Sequence, residues 1–179
     1  MAGFEAPLVV ELANGFWVLQ KPLVWRGSNG DVLAVETGEV TDFASTPRLL
    51  QAALPSAEPR VVRAAVVHDF LCRQLNERYA KVANRINDGY THEAAENSAP
   101  PTKFSAVDAD GVFRKIMKDE GASWLMQQVG WVGVRWGAAK NPARRAGWWG
   151  TFPELAWKTA LLALPLMAPL VILVLLVIL

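Results

Sequence analysis

The clearest pattern of apolar and polar positions in the chain lies between residues 60 and 79. Apolar residues recur there at intervals of three and four, which is the spacing of one buried helical face. The pattern includes His68, next to Asp69, and its members are Val61, Ala64, Ala65, His68, Leu71, Cys72 and Leu75. A buried titratable group is costly without a partner, so this pair must be hydrogen-bonded, ion-paired or metal-bound. The predicted helix is therefore the best candidate for a functional site.

The residues before this helix favour β structure, and those after it favour further helices. An Asn-Gly pair at 14–15 is typical of a hairpin turn. We predict strands at 7–12, 16–25 and 31–36, and later helices at 106–120 and 123–136. The expected fold class is α+β: a small N-terminal antiparallel sheet packed on about three to four helices, followed by a C-terminal transmembrane helix. The soluble α+β domain is expected to span residues 1–139, including a polar loop at 84–104.

The C-terminal residues 159–179 carry no charge. As a helix rising 1.5 Å per residue they would span about 30 Å, enough for the apolar core of a bilayer. We therefore predict a transmembrane tail anchor at 158–179, preceded by a basic and aromatic juxtamembrane linker at 140–157. Basic residues before the span predict a single pass through the inner membrane, with the N-terminal domain cytoplasmic. The expected flanking charges are Lys140, Arg144, Arg145 and Lys158, and the expected aromatic belt is Trp148, Trp149, Phe152 and Trp157.

The net charge and the cysteine content argue against a nucleic-acid-binding protein and against a disulfide-linked fold. The formal net charge is +1 and the basic residues are scattered, which argues against a nucleic-acid partner. The single cysteine, Cys72, excludes an intrachain disulfide and is interpreted as a small buried hydrophobe. His92 lies in the polar loop, where a solvated side chain is expected.

Two further carboxylates could join the His68–Asp69 pair. Asp42 lies in a segment rich in turn-forming residues, so it either closes a local Asx-turn or points into a cleft as a ligand or base. Asp110 lies on the predicted helix 106–120. A histidine with several carboxylates is typical of a divalent-metal site or of a general base oriented by an acid. The catalytic candidates are His68, Asp69 and Asp42, with Ser45 and Asp110 in support; His68, Asp69, Asp42 and Asp110 are the candidate ligands if a metal is bound.

The same residues also fit a purely structural interpretation. In it, Asp69 bonds the turn at 41–45, His68 is a satisfied core group, and Asp110 pairs with an arginine such as Arg135. Such a buried network would hold the β part against the helices without catalysing a reaction. The sequence leaves both interpretations open.

Two motifs resemble the phage- and prophage-associated family called domain of unknown function 1353. They are Thr-Asp-Phe-Ala-Ser-Thr-Pro-Arg at 41–48 and Ala-Val-Val-His-Asp-Phe-Leu at 65–71. Two later segments, Ala-Asp-Gly-Val-Phe at 109–113 and Trp-Val-Gly-Val-Arg-Trp-Gly at 131–137, extend the resemblance to about residues 8–138. The resemblance implies a strand pair followed by helices and a phage or prophage origin. It implies no activity, and the long loop 84–104 and the anchor depart from the family pattern.

Two functions are therefore expected as alternatives. The first is a membrane-tethered bacteriophage or prophage protein at the host inner membrane, acting as a hydrolase at the cell envelope through a His/Asp site. The second is a non-enzymatic component of the virion or of lysis, in which the cluster is a structural network and other phage proteins are the partners.

Overall fold

The computed structural model describes residues 2–41, 59–145 and 147–178, with side-chain environments up to residue 163 in the last helix. Six short strands precede five helices in this part of the chain. The strands are β1 (Gly3–Phe4), β2 (Val10–Ala13), β3 (Phe16–Leu19), β4 (Leu23–Arg26), β5 (Val32–Val35) and β6 (Val40–Thr41). The helices are α1 (Pro59–Asn87), α2 (His92–Ser98), α3 (Ala106–Asp119), α4 (Trp124–Ala139) and α5 (Trp148–Ile178). The predicted α+β class is confirmed.

The strands form two antiparallel sheets of three strands, where one sheet was expected. One sheet has the order β1-β4-β5 and the other β2-β3-β6. The predicted hairpin is present, because β2 and β3 pair around Asn14 and Gly15, which both adopt positive φ. The predicted strand 16–25 is divided into β3 and β4 near Pro22, which has no N–H group for a sheet.

The core lies between the strands and helices α1, α3 and α4. Its sheet side consists of Leu19, Leu23, Trp25 and Val35, all fully or almost fully buried. Helix α1 faces them with the predicted apolar stripe, and α3 adds Phe113, Ile116 and Met117. Ser105 and Asp108 form a capping box at the start of α3. This packing fixes the rotation of α1 and therefore the directions in which His68 and Asp69 point.

The predicted membrane anchor is wrong. Within residues 2–41, 59–145 and 147–178, no helix is both long and apolar enough to cross a membrane. The described half of α5 packs along α4, with Leu155 fully buried and Trp148 almost fully buried. Lys158, expected as a flanking charge, is buried there and donates to Glu154 at 2.5 Å. The single-pass inner-membrane localisation depended on this anchor and is wrong for the same reason.

Two connections also differ from expectation. Helix α1 continues to Asn87, and the segment expected as a polar loop at 84–104 contains α2, which Thr91 caps. The segment expected as a linker at 140–157 contains a turn and the start of α5, whose aromatic side chains pack on one another. The Trp148 ring lies 5.0 Å from that of Trp149 and 5.2 Å from that of Phe152. Trp148 is therefore part of the packed domain.

Two glycines provide a matched test of the packing between α3 and α4. A Cβ at Gly130 would lie 2.7 Å from the Met117 Cε and 2.9 Å from the Phe113 Cε1, whereas a Cβ at Gly111 would meet nothing within 4 Å. We expect Gly130→Ala to lower the free energy of unfolding by about 1–3 kcal/mol through overpacking. Gly111→Ala should raise it by up to about 1 kcal/mol because alanine favours the helix. Urea unfolding checks both, and equal effects at the two positions would contradict this packing.

Candidate functional site

The candidate site is centred on the carboxylate of Asp110, a fully buried side chain on α3. Its Oδ1 accepts hydrogen bonds from the His68 Nε2 at 2.7 Å and the Arg144 Nη2 at 2.7 Å. Its Oδ2 accepts one from the Arg135 Nη1 at 2.6 Å. Charge-assisted hydrogen bonds of this length are among the strongest in proteins, and they are needed here because a buried carboxylate has lost its hydration.

The two arginines connect Asp110 to the C-terminal part of the domain. Arg135 on α4 also donates from Nη2 to the Thr151 Oγ1 of α5 at 3.1 Å. Arg144 lies in the turn between α4 and α5, and its Nη2 also donates to the Val134 carbonyl at 3.0 Å. The Trp148 indole donates to the Arg135 carbonyl at 3.0 Å. The network therefore joins α1, α3, α4 and α5.

The two ring nitrogens of His68 have different surroundings. Nε2 is held by Asp110, while the nearest described partners of Nδ1 are the Cys72 Sγ at 3.8 Å and the Asp69 Oδ1 at 3.9 Å. The ring packs against Phe113 with centroids 5.4 Å apart, and His68 is 1% exposed. A direct N–H···O hydrogen bond spans about 2.7–3.2 Å, so Asp69 approaches Nδ1 without a direct bond of that kind.

Asp69 points away from Asp110, towards strand β6. Consecutive helical residues diverge by about 100°, so His68 turns into the helical core while Asp69 turns to the sheet. The Thr41 Oγ1 donates to the Asp69 Oδ2 at 2.5 Å. Asp69 lines a pocket of about 280 Å³ between β6, α1 and the turn before α5. The described residues lining this pocket are Phe16, Val40, Thr41, Asp69, Cys72, Arg73, Asn76, Asn141 and Arg144.

The charged groups of the cluster shift the pKa values of His68 and Asp110. Burial alone would lower the pKa of His68, but interactions with Asp110, Asp69 and Cys72 outweigh burial and place the pKa well above its ordinary value. Burial would raise the pKa of Asp110, but His68, Arg144 and Arg135 hold it below its ordinary value. The pKa values of the two groups are therefore shifted apart, which favours the imidazolium–carboxylate form of the pair.

The structure brings three of the predicted site residues together: His68, Asp69 and Asp110. Asp42 and Ser45 lie outside the described residues. In the described part of the chain, no group of three histidine, cysteine or acidic residues is placed to hold a metal ion. His92, which was expected to be a solvated loop residue, is exposed but is the first residue of α2.

Sequence reasoning anticipated one of the two arginines. The predicted pairing of Asp110 with Arg135 is confirmed. Arg144 was expected as a charge flanking a membrane span, but it is 6% exposed and bonded to Asp110. It lies in a short non-helical turn, where no apolar periodicity reveals which way a side chain faces.

Comparison with known proteins identifies one family. The family described as "Protein of unknown function (DUF1353)" matches residues 17–134, which is well over half of the chain. The chain belongs to this family. No curated protein and no solved structure matches it. The DUF1353 match contains His68, Asp69, Asp110 and the described β3–β6 strands, but it ends at residue 134, before Arg135 and Arg144. The family description assigns no activity.

Removal of the central charge is the most direct test of the network in this DUF1353 protein. Asp110→Asn leaves two buried guanidinium groups facing a neutral amide, so we expect a loss of about 3–5 kcal/mol in the free energy of unfolding. Asp88→Asn, at an exposed position after α1, makes the same chemical change and should stay within about 0.5 kcal/mol. Chemical denaturation measures both; a loss at Asp110 no larger than at Asp88 would rule out the network.

The raised pKa of His68 predicts a dependence of stability on pH. The protonated imidazole stabilises the fold fully below its unfolded pKa of about 6.5, and this contribution is lost as the pH rises through the higher folded pKa. The free energy of unfolding should therefore fall between about pH 6.5 and that folded pKa. His68→Gln should remove this slope, while His92→Gln should retain it. Denaturation curves across this range would contradict the assignment if the His68 variant and the parent had the same slope.

Proposed function

We propose that this protein is a hydrolase in which His68 is the general base, Asp110 orients its ring and Asp69 faces the substrate. The observation that carries the proposal is the asymmetric environment of the imidazole. A buried carboxylate holds Nε2, while Nδ1 turns towards the side of α1 where Asp69 and Cys72 line the pocket. An acid that fixes one ring nitrogen sets the tautomer and leaves the other nitrogen to accept a proton.

The proposed reaction is attack of water on an ester or amide carbonyl. His68 Nδ1 accepts a proton from water as the oxygen attacks, and the resulting imidazolium returns the proton to the leaving group. Asp110 stabilises that imidazolium through Nε2. Asp69, the pocket carboxylate nearest to Nδ1, positions the water or is a ligand of a divalent cation. The cation stays a prediction.

Cys72 is not assigned as the nucleophile. Its Sγ lies 3.5 Å from the His68 Nε2 and 3.8 Å from Nδ1. The nitrogen nearest to the sulfur is therefore the one that already donates to Asp110. A thiol nucleophile requires a base nitrogen free to take its proton. The arrangement favours direct activation of water.

A phage or prophage origin, an action at the cell envelope and association with other phage proteins also stay predictions. Their support is the resemblance of the motifs at 41–48 and 65–71 to the family.

One observation favours the second candidate, a non-enzymatic protein whose cluster is structural. His68 is 1% exposed, and the three donors around Asp110 satisfy both of its oxygens. In this candidate the network holds α1 against α3 and α4, and the protein acts by binding a partner. Activity measurements on folded variants distinguish the two candidates.

The test is hydrolysis of p-nitrophenyl acetate and p-nitroanilide substrates by the full chain and its variants. His68→Gln should lower kcat/KM by about 10²–10⁴-fold, the usual contribution of a general base. Cys72→Ala and His92→Gln should stay within a few-fold of the parent. Because His68 must be neutral to accept a proton and its pKa is raised, kcat/KM should rise with pH through a midpoint above about 6.5.

Circular dichroism and thermal unfolding establish that each variant is folded. A folded His68→Gln protein with parental activity would overturn the assignment of the base. Loss of activity in Cys72→Ala would show that the nucleophile is the Cys72 thiol and not activated water. Absence of hydrolysis in the parent, together with a large loss of stability in His68→Gln, would favour the structural candidate.

A further inference from the structure

The pocket beside Asp69 contains a buried cation that its protein partners do not fully use. Arg144 lines the pocket and is 6% exposed. Its hydrogen bonds to Asp110 and to the Val134 carbonyl both leave from Nη2. Its Nε is buried and has no hydrogen-bond partner among the described residues. A buried guanidinium normally satisfies most of its five donors, so this side chain has donor capacity remaining.

The two buried guanidinium groups beside the pocket share one carboxylate. Among the described residues, Arg135 and Arg144 both form their ion pair with Asp110, at 2.6 and 2.7 Å. Burial of a charge is costly unless a counter-charge is close to it, so a further anion near Arg144 would be stabilised.

The other polar groups in the pocket include amides that donate hydrogen bonds. Asn141 Nδ2 donates to the Asn76 Oδ1 at 3.0 Å, and Asn76, which lines the pocket, uses its oxygen in this bond and keeps its amide nitrogen as a donor. Arg73 pairs with Glu39 and donates to the Val40 carbonyl, and it forms the opposite wall. Asp69 is the one acidic residue among the described lining residues, and its carboxylate is engaged by Thr41 on one oxygen and faces His68 with the other.

We propose that this pocket is an oxyanion-binding subsite in which Arg144, Asn76 and Asn141 hold a phosphate or carboxylate group. The bound anion supplies the counter-charge for the buried cluster, and the guanidinium provides the fixed donor geometry that suits such groups. A volume of about 280 Å³ lies just below the range of pockets for drug-sized ligands, so it fits one small ligand or one group of a larger one. This part of the inference rests on the proposed function. If the protein is that hydrolase, its substrate is an anionic ester or amide, and the anionic group of the substrate binds on the Arg144 side of His68.

The experiment measures binding of inorganic phosphate and of acetate to the full chain by titration calorimetry and thermal shift. Sodium chloride keeps the ionic strength constant, which separates specific binding from general screening. The test variant is Asn76→Asp. The new carboxylate still accepts the hydrogen bond from Asn141, but it replaces the NH2 donor of the Asn76 side chain by a negative charge. The matched control is Asn84→Asp, which makes the same change at an exposed position on the same helix.

We expect saturable binding of at least one of the two anions to the parent and to Asn84→Asp, with a rise in melting temperature. Asn76→Asp should bind at least tenfold more weakly. Preference for phosphate or for acetate identifies which group the subsite takes. No saturable binding to the parent, or equal affinity in Asn76→Asp and Asn84→Asp, would overturn the subsite.

The same titration on His68→Gln separates this inference from the proposed reaction. Binding that persists in a folded His68→Gln protein without hydrolytic activity supports the subsite independently of catalysis. Hydrolysis that depends on His68 in a protein that binds neither anion would overturn the subsite and leave the proposed hydrolase intact.

Discussion

The carboxylate of Asp110 is the interaction on which the rest of this structure depends. One fully buried side chain on α3 accepts hydrogen bonds from α1, from α4 and from the turn that precedes α5. The Arg135 that it holds also bonds Thr151, so the network reaches the last helix. Removing two arginines and a carboxylate from water costs several kcal/mol for each ion, and only close, well-aligned contacts recover that cost. The relative positions of the four helices are thus set by groups that cannot be separated without leaving a bare charge in the core.

The same constraint gives the site its chemical character. Because Asp110 holds Nε2, the imidazole of His68 cannot rotate, and Nδ1 is kept on the side of Asp69 and the pocket. Because consecutive helical residues are rotated by about 100°, His68 and Asp69 point in different directions. His68 is directed to the helical core, and Asp69 is directed to strand β6. A structural network and a catalytic dyad therefore need not exclude each other here. The contacts that stabilise the fold are also those that orient the base.

Parts of the fold that depend on local signals could be predicted from the sequence. The stripe on α1, the Asn-Gly hairpin and the capping box at Ser105 each require only residues close in the chain. The pairing of Asp110 with Arg135 was also predictable, because a buried carboxylate needs a cation and the following helix carries one. Asp69 was expected to bond the turn that follows β6, and its hydrogen bond to Thr41 lies at the start of that segment.

The errors concern long-range packing. Residues 140–157 were expected as a linker to a membrane anchor, but the first half of α5 packs against α4 instead. Lys158 and Arg144 were expected as charges flanking a membrane span, yet Lys158 packs over the Trp131 ring at 4.6 Å and Arg144 bonds Asp110. Tertiary partners, which no local pattern contains, overrode the preference of these charges for water.

The central claim is that Asp110 holds the Nε2–H of His68 and leaves Nδ1 as the titrating nitrogen. The most direct measurement is a two-dimensional NMR correlation of histidine ring nitrogens and protons over a pH series. The chain has two histidines, so His92 serves as an internal reference and His92→Gln assigns the signals. We predict that His68 retains an exchange-protected Nε2 proton throughout, while its Nδ1 loses a proton at a pH well above 6.5, the ordinary pKa of an imidazole. A neutral His68 ring protonated on Nδ1, or an Nε2 proton that exchanges as fast as that of His92, would contradict the account.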